Sequence, residues 1–298
     1  MKILAIDTSG QQAGAAIMDE YITIGETIIN AQSGHKTFHH SQILMPAVER
    51  LFESSGLTID DIDYIAYTQG PGSFTGIRIG AATALGLARG INKPAIPVPT
   101  LDALAYNVLY AEDTIVVPLL DARRQQVYCA VYHIETGIPK RLTDYFAKSI
   151  SDTLKQIHAH IADSARNNSG RGVKPHTSSE FPATDGADFE SINYNTAPTK
   201  IIFLGDGAEA NKTEIQAAFP AATFAPQNNN RQRPSSVALY AAHRINKIDT
   251  PIDTQTQTQT HTQTNTQTAT MANQPNTNPV KIIYVRDPQA VRNMQTSV

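Results

Sequence analysis

Tryptophan, a second cysteine, a dense lysine–arginine run and a membrane-length apolar stretch are all missing from this chain, and each absence removes a class of function. With one cysteine, Cys129, and no tryptophan in 298 residues, there is no internal disulfide framework, and the thiol usage fits a reducing cytoplasm. The longest uncharged apolar run, IGAATALGLA, falls short of the ~18 residues a membrane span needs. At the N-terminus, MKILAID meets an acid at Asp7, too early for the apolar core of a secretory signal. Formal charge is −3 and the pI about 6.3, without aromatic–basic interleaving, so binding to nucleic acid unaided is not expected. These features imply a soluble cytoplasmic protein with no membrane role, which would act on RNA only through a partner.

What is present starts with QGPGSFTGIRIGAATALGLARG, Gln69 to Gly90, a glycine-rich turn that follows the strand-like DYIAYT and opens a helix. A Walker loop needs Gly-x4-Gly-Lys-Ser/Thr, and this stretch has no lysine. A dinucleotide fingerprint needs a third glycine at 75, but the glycine is Gly76. Along the helix, Gly76, Gly80, Ala84 and Ala88 recur every fourth residue and form a stripe almost without side chain. Mid-helix glycine costs up to about 1 kcal/mol against alanine, so the stripe implies close packing. It is assigned either to the domain's own interior or, as the sharper expectation, to a subunit interface.

Around this stretch the chain alternates strands and helices. KILAID and AGAAIM read as a hairpin and TIGETII as a third strand; HSQILMPAVERLFESSG is a helix whose apolar stripe includes Leu44, Val48 and Leu51. KPAIPVPT reads as a strand, TLDALAYNVLYA as a helix and TIVVPLLDARRQQVYCAVYH as a second hairpin. Later, IIFLGDGAEANK gives a strand and glycine turn, and PSSVALYAAHRIN a helix with a serine cap. The pattern Asp-x3-Gln-Gln-x3-Ala-aliphatic occurs at Asp7 and again at Asp121, which implies two topologically related halves, 1–110 and 111–298. A polar insertion at about 163–199 and a Thr/Gln-rich tract at about 250–279 are expected to be mobile or disordered, with KIIYVR resuming as a strand.

Few residues point to chemistry on their own. Asp7-Thr8-Ser9 ends a strand, where an Asx turn closing the hairpin is the structural account. HKTFHH sets His35 and His39 at helical spacing, yet lacks the glutamate of an HExxH site. Cys129 lies in an alternating strand as a buried thiol.

MKILAIDTS, HSQILMP, QGPGSFTGIRIG, LLDARRQQVY, GDGAEAN and PSSVAL occur in an order that resembles the TsaB (formerly YeaZ) family, over roughly residues 1–135, 200–248 and 280–292. The resemblance implies the duplicated α/β fold of the actin-like ATPase and sugar-kinase superfamily. It also implies a non-catalytic scaffold that dimerises with the catalytic subunit TsaD and recruits the ATPase TsaE, so that threonylcarbamoyl is transferred to adenosine 37 of ANN-decoding tRNAs. Homodimerisation of the chain when alone is left open by the sequence. The expected partner surface is the pair of helices at about 39–55 and 75–90, through His40, Leu44, Val48, Leu51, Gly76, Arg78, Gly80, Ala84 and Ala88. No cofactor of its own is implied; ATP and a divalent metal would belong to the partners. TsaD carries a His-x3-His metal pair, and Thr100 and Leu104 stand at those positions here, which argues against catalysis. Superfamily nucleotide sites would fall weakly on Asp7, Thr8 and Ser9 and on Gly205, Gly207, Ala208 and Glu209. Asp121 and Arg123 hold the place of the first hairpin turn in the second half, with structural work expected and Arg123 a candidate for pairing at an interface. The alternatives from other classes are a free-standing ATP-dependent kinase or ATPase and a metalloprotease.

Overall fold

The computed structural model of the chain describes residues 1–30, 32–33, 36–37, 39–167 and 200–249. His35, the 163–199 insertion beyond residue 167, the Thr/Gln tract and KIIYVR therefore lie outside the described residues. Two compact units emerge, one formed by Met1–Ala103 with the chain from Gln232, the other by Leu104–Arg231.

In the first unit, β1 (Lys2–Asp7) and β2 (Gln12–Asp19) form a hairpin, and β3 (Ile22–Asn30) adds antiparallel to β2. A small hairpin of β4 (Gln32–Ser33) and β5 (Lys36–Thr37) precedes α1 (His40–Ser55). Then come β6 (Tyr64–Gly70), α2 (Phe74–Gly90) and β7 (Ala95–Pro99), with β6 parallel to both β1 and β7. The order across the sheet is β3-β2-β1-β6-β7. Strands β1 and β2 are buried on both faces, so they read as apolar runs and not as alternation. On one face Leu44, Val48, Leu51, Ala81, Ala84 and Ala88 of the two helices pack on Leu4, Ile6, Ala15 and Ile17.

The other face is covered by the last described helix. After α3 (Thr100–Ala105) the chain forms β8 (Thr114–Asp121), β9 (Gln126–Cys129), β10 (Tyr132–Glu135), β11 (Ile138–Arg141), β12 (Phe146–Ser149), α4 (Ile150–Asn167), β13 (Ile201–Leu204), α5 (Asp206–Ala210), α6 (Lys212–Ala218) and β14 (Thr223–Phe224), then α7 (Pro234–Asp249). In α7, Val237, Ala238, Ala241, Ala242 and Ile245 pack on Ile3, Ala5, Met18 and Ala66. A division at residue 110 assigns this helix to the second half; its apolar stripe instead returns it to the first sheet.

Glu26 fastens that return. Its carboxylate accepts Arg233 Nη2 at 2.5 Å and Nε at 3.2 Å, while its other oxygen accepts the Ser235 backbone N–H at 2.8 Å. The first turn of α7 is thus capped by an acid from β3, where the helix dipole favours negative charge, and not by a serine side chain. Glu26 is 12% exposed, so Glu26→Ala should leave the Ser235 donor and the Arg233 guanidinium short of a partner and cost about 1–2 kcal/mol by urea unfolding. Glu26→Gln, which keeps both acceptor geometry and volume, should lose less.

The second unit repeats the first. β8 pairs antiparallel with β9 and β10, which form one interrupted second strand; β11 and β12 form an interrupted third; and β13 and β14 follow in parallel on the other side of β8. Counting each interrupted strand once, the order is third, second, first, fourth, fifth, as in the first sheet. The architecture is α/β with two related halves, the duplication that the resemblance implies. Its second core joins Val117, Leu119, Val127, Cys129, Ile157 and Phe203.

Candidate functional site

At the end of β1 the chain makes an Asx turn. Asp7 Oδ1 accepts the Ser9 backbone N–H at 2.8 Å, the Ser9 hydroxyl at 2.7 Å and the Thr68 hydroxyl at 3.3 Å. Its other oxygen, Oδ2, is buried and has no hydrogen-bond partner among the described residues. Burial pushes the Asp7 carboxyl above the usual carboxylate range, against the opposing pull of Ser9, Thr68 and the charge of His40. A folded-state value above the unfolded one means that this group stabilises the native protein below the unfolded value, and that the contribution is lost as pH rises through the folded value. Asp7→Asn, neutral at every pH, should therefore melt higher than the wild type at pH 7, with the difference shrinking as pH falls towards 4.

His40, the first residue of α1, reaches back to the same turn. A hydrogen bond with the Gly10 backbone and the Asp7 charge favour its protonation, but burial outweighs both and lowers its pKa. The ring is half-buried, and Nε2 has no partner among the described residues. His40 is thus held by its own hairpin turn.

The opening glycines of α2 serve this turn as well. Thr8 donates its hydroxyl to the Gly76 carbonyl at 2.7 Å, and the Ser73 backbone N–H donates to Ser9 O at 2.7 Å. A Cβ on Gly76 would lie 2.1 Å from Thr8 O, and one on Gly80 would lie 2.2 Å from Thr8 Oγ1. The stripe Gly76–Gly80–Ala84–Ala88 therefore faces the end of β1, not a partner, and Leu44, Val48 and Leu51 are likewise buried in the unit's own core. Of the residues expected at an interface, only Arg78 is exposed. The hydroxyls of Thr8 and Ser9 are spent inside the protein, which leaves neither presented to a phosphate.

Arg78 marks a different surface. Its guanidinium stacks 3.8 Å from the centroid of Phe74, which is 42% exposed. Four and eight residues on lie Ala82 and Gly86, both exposed, and a Cβ on Gly86 or Gly90 would meet nothing within 4 Å. A second small-residue stripe, Ala82–Gly86–Gly90, thus lies on the solvent face of α2, on the same side of the sheet as α1 with its exposed Met45.

In the second unit the glycine turn after β13 packs on the neighbouring strand β8. Gly205 has φ +100° and a Cβ there would fall 2.1 Å from Leu119 O; one on Gly207 would sit 3.0 Å from the backbone of Leu119 and Leu120. Glu209 pairs with Arg231 at 2.7 Å, and Asn230 Oδ1 accepts the Gly205 N–H at 2.8 Å. Gly205, Gly207, Ala208 and Glu209 are occupied by protein contacts. Asp121 repeats Asp7, with Oδ1 accepting the backbone N–H two residues on, from Arg123, at 2.7 Å.

Thr100 and Leu104 are buried, and no cluster of three or more His, Cys, Asp or Glu among the described residues has metal-site geometry. His39 is exposed at the entry to α1, where its backbone N–H donates to Gln42 Oε1. Burial pushes the Cys129 thiol far up, so it is inert as a nucleophile. No helix among the described residues is long and apolar enough to cross a membrane.

Comparison with known proteins agrees with this architecture. The family model described as "TsaD: tRNA N6-adenosine threonylcarbamoyltransferase" matches residues 35–260. A Bacillus subtilis protein named tRNA threonylcarbamoyladenosine biosynthesis protein TsaB is 30% identical over 210 residues, 70% of this chain and 89% of that one. The Escherichia coli protein of the same name is 38% identical over 140 residues, 46% of this chain and 58% of its own length. Among solved structures, YeaZ from Pseudomonas aeruginosa superposes with a TM-score of 0.53 at 19% identity, covering 83% of this chain and 93% of that one. A relative matched across nearly all its length, together with a family model spanning most of this chain, places the sequence in the TsaB branch of the TsaD family.

Proposed function

We propose that the chain is a non-catalytic scaffold subunit for threonylcarbamoyl transfer to adenosine 37 of ANN-decoding tRNAs, pairing with TsaD and helping to recruit TsaE. The observation that carries this reading is the similarity to proteins named for tRNA threonylcarbamoyladenosine biosynthesis. The filled turns support the non-catalytic part, because the Thr8 hydroxyl is engaged by the Gly76 carbonyl, the Ser9 hydroxyl by the Asp7 carboxylate, and the Gly205 turn lies against the Leu119 backbone. Thr100 and Leu104 offer no imidazole for a metal. ATP and a divalent metal then belong to the partners, and tRNA is met within the complex.

Pairing is assigned to the outward face of α2 with the neighbouring surface of α1, where Ala82, Gly86 and Gly90 allow close helix approach beside Phe74 and Arg78. The test mixes the purified chain with TsaD on a sizing column and then assays transfer to an unmodified tRNA with TsaE, ATP and a threonylcarbamoyl donor supplied. Co-elution and transfer that depends on the chain are expected. ATP turnover by the chain alone that is lost in Asp7→Ala, with no association, would favour the free-standing ATPase instead.

A further inference from the structure

The two equivalent hairpin turns differ at their middle. After Asp7, Thr8 and Ser9 are buried beside α2 and Gly10 is half-buried. After Asp121 the turn between β8 and β9 is exposed, and Arg123, Arg124 and Gln125 all adopt left-handed backbone, with φ of 62°, 54° and 59°. Among the described residues this is the only place where three consecutive non-glycine residues do so. Left-handed backbone is disfavoured for any side chain with a Cβ and is ordinarily given to Gly, Asn or Asp. Arginine and glutamine have no such tolerance, and none of the three is buried here.

Strain held by exposed side chains is not repaid by packing, which points to recognition. The Arg123 side chain is 80% exposed, with one ion pair, to Asp121 at 3.3 Å, and Arg124 makes no ion pair among the described residues. The turn tip holds two guanidinium groups, an amide and no apolar or aromatic residue. Arginine serves protein hot spots as well, but there it is packed with aromatic neighbours in a desolvated pocket, and this tip has none; phosphate contacts need only positioned guanidinium and amide donors. We infer that the Arg123–Arg124–Gln125 turn is a phosphodiester-binding finger that contacts the tRNA backbone in the assembled complex. This inference rests on the tRNA-modification reading above. A contact made to phosphate positions tRNA and reads no sequence.

The test uses the reconstituted complex and an unmodified ANN-decoding tRNA transcript, with Kd measured across a salt series. The Arg123→Asn/Arg124→Asn double variant replaces both cations with a residue that tolerates left-handed backbone. It should melt at or above the wild-type temperature, co-elute normally with TsaD, bind tRNA about ten- to a hundredfold more weakly, and lose about 1.5–2 from the slope of log K against log salt. The Arg→Lys double variant should keep most of that slope. Unchanged affinity and slope in the Asn variant, with wild-type complex still binding and modifying tRNA, would overturn the finger while leaving the tRNA reading intact. Loss of TsaD pairing with tRNA affinity otherwise unaltered would overturn it in favour of a protein contact. A wild-type complex that neither binds nor modifies tRNA would overturn both.

Discussion

Gly80→Leu is expected to melt roughly 10 °C or more below the wild type, or to be recovered only as aggregate. The reason is distance. Even the first added carbon falls 2.2 Å from Thr8 Oγ1, inside any tolerable contact, and the remaining three carbons must enter the space between α2 and Ile6. Overpacking typically costs 1–3 kcal/mol where neighbours can yield. Here yielding means breaking the hydroxyl–carbonyl bond from Thr8 to Gly76, so about 3 kcal/mol or more is expected, and each kcal/mol moves the midpoint of a protein of this size by about 2–4 °C. Circular dichroism during a thermal ramp measures it. A variant that folded and melted normally would show that the helix is not seated on β1 as described. Gly86→Ala is the contrast: its Cβ meets nothing within 4 Å, so the same helix should gain up to about 1 kcal/mol from improved propensity.

Gly86→Leu should produce the reverse phenotype, with a normal fold and a lost partnership. The added side chain starts from the exposed Ala82–Gly86–Gly90 stripe, where a Cβ meets nothing within 4 Å. Against a docked helix it would hold the two axes apart, since interfaces that bring helices close depend on small residues there. A weakening of TsaD binding by at least about tenfold is expected, read as loss of co-elution, and tRNA modification should fail with it while the melting temperature stays within a few degrees of the wild type. Co-elution and modification at wild-type level would move the contact off this face of α2.

These two variants turn on a helical phase that the sequence left open. Gly76, Gly80, Ala84 and Ala88 form one small stripe and Ala82, Gly86 and Gly90 another, and nothing in residue size says which is inside. The charges do: Ala82 lies four residues after Arg78 and Gly86 three before Arg89, so the second stripe shares the solvent face. By contrast, the duplication was legible because it rests on paired identities, Asp7 with Asp121 and the two Gln-Gln pairs, and each aspartate accepts the amide two residues on. The return of α7 to the first sheet was not legible, because its apolar stripe does not say which sheet it covers, and the packing on Ile3, Ala5 and Met18 and the pairing of Glu26 with Arg233 and Ser235 are contacts across more than 200 residues of sequence. Nor was the left-handed run at Arg123–Gln125, since those residue types disguise a backbone that glycine or asparagine would have advertised.

The clasp between Glu26 and Arg233 joins positions 207 apart along the chain, and so imposes an order on biosynthesis. A ribosome that has delivered all five strands of the first sheet has still not delivered α7. Until then Ile3, Ala5, Met18 and Ala66 remain uncovered on one face, with the whole second unit yet to be made. That nascent intermediate presents an apolar sheet for as long as translation takes to cross about 130 residues, several seconds or more at ordinary elongation rates. It is the stage at which a chaperone would be needed, and removing the chain from residue 234 onward should harm the amino-terminal sheet more than the second unit.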